Sequence, residues 1–166
     1  MSAPLTAGAD QLSTEPVEFR LLGTGSRNWS HWASIDQAFT NVLTGLPPTS
    51  TLIIVHGDSP DGRPRRPMGF DAIADRWARS KIIAARHPDY WIIAEPWPAE
   101  WREYGKRAGM RRNQQMVDKG ADLCLGAPLP GSRGTWDCMR RAAVAGIPVR
   151  QIPHQPPPLD SIIRRK

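Results

Sequence analysis

The sequence predicts an α/β protein with a Rossmann-like three-layer architecture, a mostly parallel sheet of about five strands covered by helices on both faces. Two observations lead there. Short apolar, β-rich segments alternate along the chain with segments of helical period, and a parallel strand pair needs such a crossover. The strands also close in glycine or small polar residues, as buried strands do when they feed loops at the carboxyl edge of a sheet. A chain of 166 residues, 40% hydrophobic and 23% charged, suits one domain with a sizeable core.

Each element follows in order. Residues 1–15 are small and polar and read as a tail, so the domain spans 16–153. "VEFRLLGTGS" (17–26) is the first strand with its loop. From Trp32, the apolar positions Ile35, Ala38, Phe39, Val42, Leu43 and Leu46 recur at helical spacing. "TLIIVHGDS" (51–59) is the second strand, and the proline-stiffened, basic "SPDGRPRRPM" (59–68) is a lid or an exposed loop. Phe70, Ile73, Ala74, Trp77 and Ala78 mark the next helix, with Asp71 near its start. "YWIIAEP" (90–96) precedes a polar helical stretch, 99–120, with a break at Gly105 or Gly109. "ADLCLGAP" (121–128) is the fourth strand. Trp136, Met139, Arg140 and Ala143 set the last helix, which stops at Gly146 before "IPVRQI" (147–152). The proline-rich, then basic, 154–166 is a second tail.

Composition excludes several classes. No apolar run approaches the roughly 20 residues that span a bilayer, and the N-terminus lacks the basic start and apolar centre of a signal peptide. The expectation is a cytoplasmic protein without a membrane partner. Cys124 and Cys138 have no metal-ligand spacing and read as buried thiols, so no metal is expected. The net charge of +6 invites nucleic acid, but the basic residues are scattered over "DGRPRRP", "GKRAGMRRNQQ", "CMRR" and "RRK". No zinc-finger, basic-zipper or RNA-recognition signature accompanies them. A small phosphorylated ligand fits better.

The strand-end loops carry the candidate site. In "PGSRGTWDC" (130–138), Gly131 and Gly134 let the backbone present N–H groups, while Ser132 and Thr135 add hydroxyls at a helix start. The alternative is a glycine-rich loop that caps its own helix. "GTGSRN" (23–28) repeats the arrangement with Gly25, Ser26, Arg27 and Asn28. It is not a dinucleotide fingerprint, because the third glycine and the acidic residue after the second strand are missing, so no NAD or other cofactor is expected. Gly57 and Asp58 follow that second strand, and the lone His56 beside them reads as structural. Arg112 and Asn113 suit a phosphate or ribose edge, since the planar guanidinium donates in pairs. Asp71 caps its helix or binds a ribose hydroxyl. Trp32 and Trp77 read as core, whereas Trp29, Trp97 and Trp101 flank the loops, where one could stack on a base.

Together, "GSRNW", "VHGD" with "GFDAIADRWA", "PAEWREYGKRAGMRRNQQMV", "ADLCL" and "GSRGTWDCMRRAAVAGIPV" resemble the SLOG superfamily over about residues 17–152, most closely its YspA-like branch of bacteria and phages. That superfamily includes the LOG phosphoribohydrolases, the DNA-processing protein DprA and domains thought to sense nucleotide-derived signals. The resemblance implies a phosphate held by the loop at Gly131, Gly134 and Thr135, faced by Arg112, with Met116 at a matching position. It departs from the LOG pattern where Ser132 replaces a glycine and Cys138 stands at the position of the working glutamate. A thiol is poorly suited to stabilising positive charge on a ribose or to assisting a departing base. The leading expectation is therefore binding of a nucleotide or nucleotide-derived ligand, as a sensor or sequestering protein. The alternatives are a LOG-like phosphoribohydrolase using Arg112, with Asp71, Asp58 or Glu100 replacing the glutamate, and DprA-like binding of single-stranded DNA. The relatives also imply a homodimer.

Overall fold

A computed structural model describes residues 14–58 and 69–154. The 59–68 segment and most of both expected tails lie outside them. Five strands, β1 (Glu18–Gly25), β2 (Thr51–His56), β3 (Trp91–Pro96), β4 (Leu123–Ala127) and β5 (Val149–Gln151), form one sheet in the order β3-β2-β1-β4-β5. All four neighbouring pairs are parallel. This is the Rossmann-like fold. From β1 the chain first builds outward through β2 and β3, then crosses to the other side of β1 with β4 and β5. The switch in direction therefore falls between β1 and β4, where Gly25 is paired with Ala127 at the carboxyl ends.

Alternation along the strands divides the core into two halves. Leu21, Leu52 and Ile54 face one side, against Ile35, Phe39 and Leu43 of α1 (Trp32–Thr44) and Phe70, Ile73 and Trp77 of α2 (Phe70–Arg79). Leu22, Ile53 and Val55 face the other, against Met116 and Val117 of α5 (Ala108–Lys119) and Cys138, Met139 and Ala142 of α6 (Arg133–Val144). Both cysteines are buried and unpaired, as their apolar settings predict.

Three details differ from the sequence reading. A short helix, α3 (Lys81–Arg86), follows α2 after the extended Ser80; it buries only Ile83, so it has no apolar period to read. The polar stretch breaks at Gly105, whose φ of +50° ends the single turn α4 (Trp101–Tyr104), whereas Gly109 lies inside α5. The last helix is rolled relative to the expected face. Thr135, Cys138, Met139 and Ala142 are buried, while Arg140 and Ala143 are exposed and Trp136 is 50% exposed. Gly126 of β4 makes room for the one residue common to both faces: a Cβ there would stand 2.3 Å from Met139 Sδ.

One brace spans three strands. Arg20 of β1 forks onto Glu95 of β3 at 2.8 and 2.7 Å and donates from Nε to the Gly120 carbonyl at 3.0 Å. The Arg20 guanidinium holds the Glu95 carboxyl down to about 2.

Candidate functional site

A cleft of about 660 Å³ opens at the carboxyl ends of β1 and β4. Of the residues expected on the ligand, Gly25, Ser26, Arg27, Gly57, Asp71, Arg112, Asn113, Gly131, Ser132, Gly134 and Thr135 line it, whereas Asp58 is exposed beside it and Glu100, Trp29 and Trp97 do not line it. The two glycine loops meet here because β1 and β4 are neighbours.

The β1 loop is held by its own backbone. Ser26 N–H donates to the Ala127 carbonyl at 3.0 Å, and the Ser26 carbonyl accepts from Trp29 at 3.1 Å and Phe70 at 3.0 Å. The start of α2 is thereby pinned to the loop after β1, with the Phe70 ring against it. A Cβ on Gly25 would fall 2.4 Å from Phe70, and one on Gly23 2.8 Å, so these glycines make room for a ring. Trp29 does not face the cleft. It is fully buried, with its indole N–H on the His31 carbonyl at 3.1 Å. The expected ligand-facing position is overturned because the large apolar ring completes the core.

The loop before α6 is built differently. Gly131 takes φ +81°, and a Cβ on Gly131 or Gly134 would meet nothing within 4 Å. Ser132 Oγ accepts from Leu129 N–H at 3.0 Å, closing the turn and leaving its own proton to donate. The Ser132 carbonyl accepts from Trp136 N–H at 3.1 Å, the first full helical bond. The N–H groups of Gly134 and Thr135 have no acceptor among the described residues, the usual state of a first turn awaiting a cap or an anion.

Arg112 is buried, not solvated. Its Nη1 donates to the carbonyls of Gly57 and, at 3.2 Å, Trp97, and its Nε to Asn113 Oδ1 at 3.2 Å. A Cβ on Gly57 would overlap the guanidinium, at 2.2 Å from Nη1. Burial lowers the Arg112 pKa, and the Asp71 carboxylate works against that shift. Asp71, second residue of α2, also accepts from Gly57 N–H at 3.3 Å. Asn113 Nδ2 donates to the Gly134 carbonyl at 3.1 Å and to Asp137 at 3.2 Å. Both halves of its amide are thus committed to neighbours, so it braces the loop instead of pointing a free group at a ribose or base.

The residues at and beside the expected glutamate position take structural settings. Burial pushes the Cys138 thiol up to about 11. Burial also works to raise the Asp137 carboxyl, but hydrogen bonds from Arg141 (2.8 Å) and Asn113 (3.2 Å) outweigh it and hold the group below its ordinary range. His56 is buried, accepts from Asp58 N–H on Nδ1 and faces Asp75 across 3.2 Å on Nε2. The accepting Nδ1 assigns the proton to Nε2, which makes His56 an anchor for the end of β2.

Of the three loop-side tryptophans, Trp101 lines the cleft, with the Arg27 guanidinium 5.3 Å above its ring. Trp97 instead donates to Glu95 at 2.8 Å. The cleft also contains Lys106, Met110 and Arg133, none of which the sequence singled out. Their only signal was position, in the turn before α5, in the first turn of α5 and inside the glycine loop.

The fold and cleft define a Rossmann-like α/β protein with a concave strand-end site. The chain is 41% identical to the "Gene 61 protein" of Mycobacterium phage D29 over 130 residues, which covers 78% of this chain and 93% of that protein. It belongs to the family of that phage protein. No family model and no solved structure matches it.

Proposed function

We propose that the protein binds a nucleotide or nucleotide-derived small ligand, with a phosphate at the loop 131–135. The observation that carries this reading is Gly134. Glycine in a helix interior costs about 1 kcal/mol relative to alanine, an upper bound for Gly134 at the second helical position. At Gly134 neither a positive φ nor a crowded Cβ position accounts for that cost. The space beside it is the cleft, and the adjacent free N–H groups of Gly134 and Thr135 are anion donors. A helix N-terminus supplies only about 0.3–1 kcal/mol when exposed, so Ser132, Arg27 and Arg112 must add to it. The likeness of the loops to SLOG proteins supports the same assignment.

Binding is favoured over LOG-like turnover because Cys138, with its thiol pushed up to about 11, occupies the glutamate position. Among the described residues lining the cleft, Asp71 is the remaining carboxylate, and this reading assigns it to a ribose hydroxyl. Calorimetry of the full chain with mono-, di- and cyclic nucleotides tests the reading, and micromolar or tighter binding is expected for at least one. Folded protein that binds none of them overturns it. Release of free base from a nucleoside 5′-monophosphate, lost in Arg112→Ala, would move the protein to the enzyme class.

A further inference from the structure

We propose that the cleft selects nucleotides carrying two phosphate groups over monophosphates. This deepens the nucleotide reading above and rests on it. The cleft is lined by Arg27, Lys106, Arg112 and Arg133 against the single carboxylate of Asp71, an excess of three positive charges among the described residues. Arg112 and Asp71 offset one another, since that carboxylate is the largest favourable influence on the buried guanidinium. The remaining three cations form no ion pair among the described residues.

They come from three separate segments, the β1 loop, the turn Gly105–Arg107 before α5, and the first residue of α6. Arg27 is positioned by an indole instead of an acid. Trp101 stands against Gly109, where a Cβ would lie 3.3 Å from its ring, and Arg27 lies over that ring. The cation–π contact holds the guanidinium near the ring without an acid to neutralise it, which leaves its charge for an anion.

Charge then discriminates between ligands. A phosphate monoester carries about −1.5 to −2 at pH 7, which leaves at least one of the three cleft cations unmatched. A second phosphate group brings the ligand near −3 and matches the excess. The α6 N-terminus adds roughly half a positive charge in the same direction. Space is not limiting, because 660 Å³ falls well inside the roughly 300–1,000 Å³ of small-molecule sites.

The test is calorimetry on the full chain with a nucleoside, its 5′-monophosphate and its 5′-diphosphate, in adenine and guanine series, with chelator present so that magnesium does not mask the phosphates. Inorganic phosphate and pyrophosphate form a base-free pair. The diphosphate is expected to bind at least tenfold more tightly than the monophosphate and to lose affinity more steeply with salt. Lys106→Ala and Arg133→Ala should each shrink that ratio without moving the thermal midpoint. A monophosphate that binds as tightly as the diphosphate overturns this inference and leaves the nucleotide reading standing. Folded protein that binds neither overturns both.

Discussion

The two glycine loops at the carboxyl edge of the sheet look alike in sequence and exist for opposite reasons. After β1, Gly23 and Gly25 are glycine because the Phe70 ring occupies the place of their side chains, at 2.8 and 2.4 Å. Gly57 after β2 is the same kind of residue, with the Arg112 guanidinium in the role of the ring. After β4, Gly131 and Gly134 face open space. A filled Cβ position records packing within the protein. An empty one in the first turn of a helix, beside a cleft, leaves the room that the proposed ligand would fill.

Substitutions can break or sharpen this contrast. The largest effect is expected from Gly25→Ala, whose methyl would collide with a fully buried ring held on both sides. Overpacking of this kind costs typically about 1–3 kcal/mol and sometimes more, so urea unfolding should show a large loss. An unchanged midpoint would mean that Phe70 can move and that the two loops are less different than they look. Asn113→Ala comes next. It removes the bond to the Gly134 carbonyl and leaves Asp137 and Arg112 each short of a partner, a change of about 1–3 kcal/mol for buried groups. It should also weaken ligand binding, because it frees the loop.

Glu95→Gln is a control distant from the loop contrast. With its pKa lowered to about 2, the Glu95 carboxylate stabilises the fold fully above its ordinary value of 4.5. That contribution is lost as pH falls from 4.5 through about 2. The substitution should lower stability at pH 7, flatten this part of the acid-unfolding profile and leave nucleotide affinity unchanged. Gly134→Ala should have the smallest effect on folding, a change of no more than about 1 kcal/mol and in the stabilising direction. Finally, the native thiols should not react with an aromatic disulfide at pH 8. Both are buried, with Cys124 pushed up to about 12 and Cys138 to about 11, and rapid labelling would show that the core beneath the cleft opens.

The sheet and its layers were legible because buried parallel strands and amphipathic helices leave periodic signals, as in "TLIIVH" and the Phe70–Trp77 spacing. The short α3 left none, since one buried isoleucine has no period. The roll of α6 is hidden because Trp136 is the bulkiest aromatic of the helix and its size suggests a core position. Which face meets the sheet depends on how α6 packs against β4 and α5, a non-local fact. The glycine loops, Arg112 and Asp71 could be found from strand ends and side-chain chemistry. Arg112's attachment to Gly57, the commitment of Asn113 and the presence of Lys106 in the cleft depend on how separate segments meet, which local pattern does not encode.

Gly134 carries the central claim, and one comparison tests it most directly: nucleotide affinity of the wild-type chain and of Gly134→Ala, measured by calorimetry beside their urea midpoints. The account predicts at least a tenfold loss of affinity in a variant that is as stable as the wild type or more so. Unchanged affinity for a nucleotide that the wild type binds would contradict it, because the space beside Gly134 would then not be where the phosphate sits.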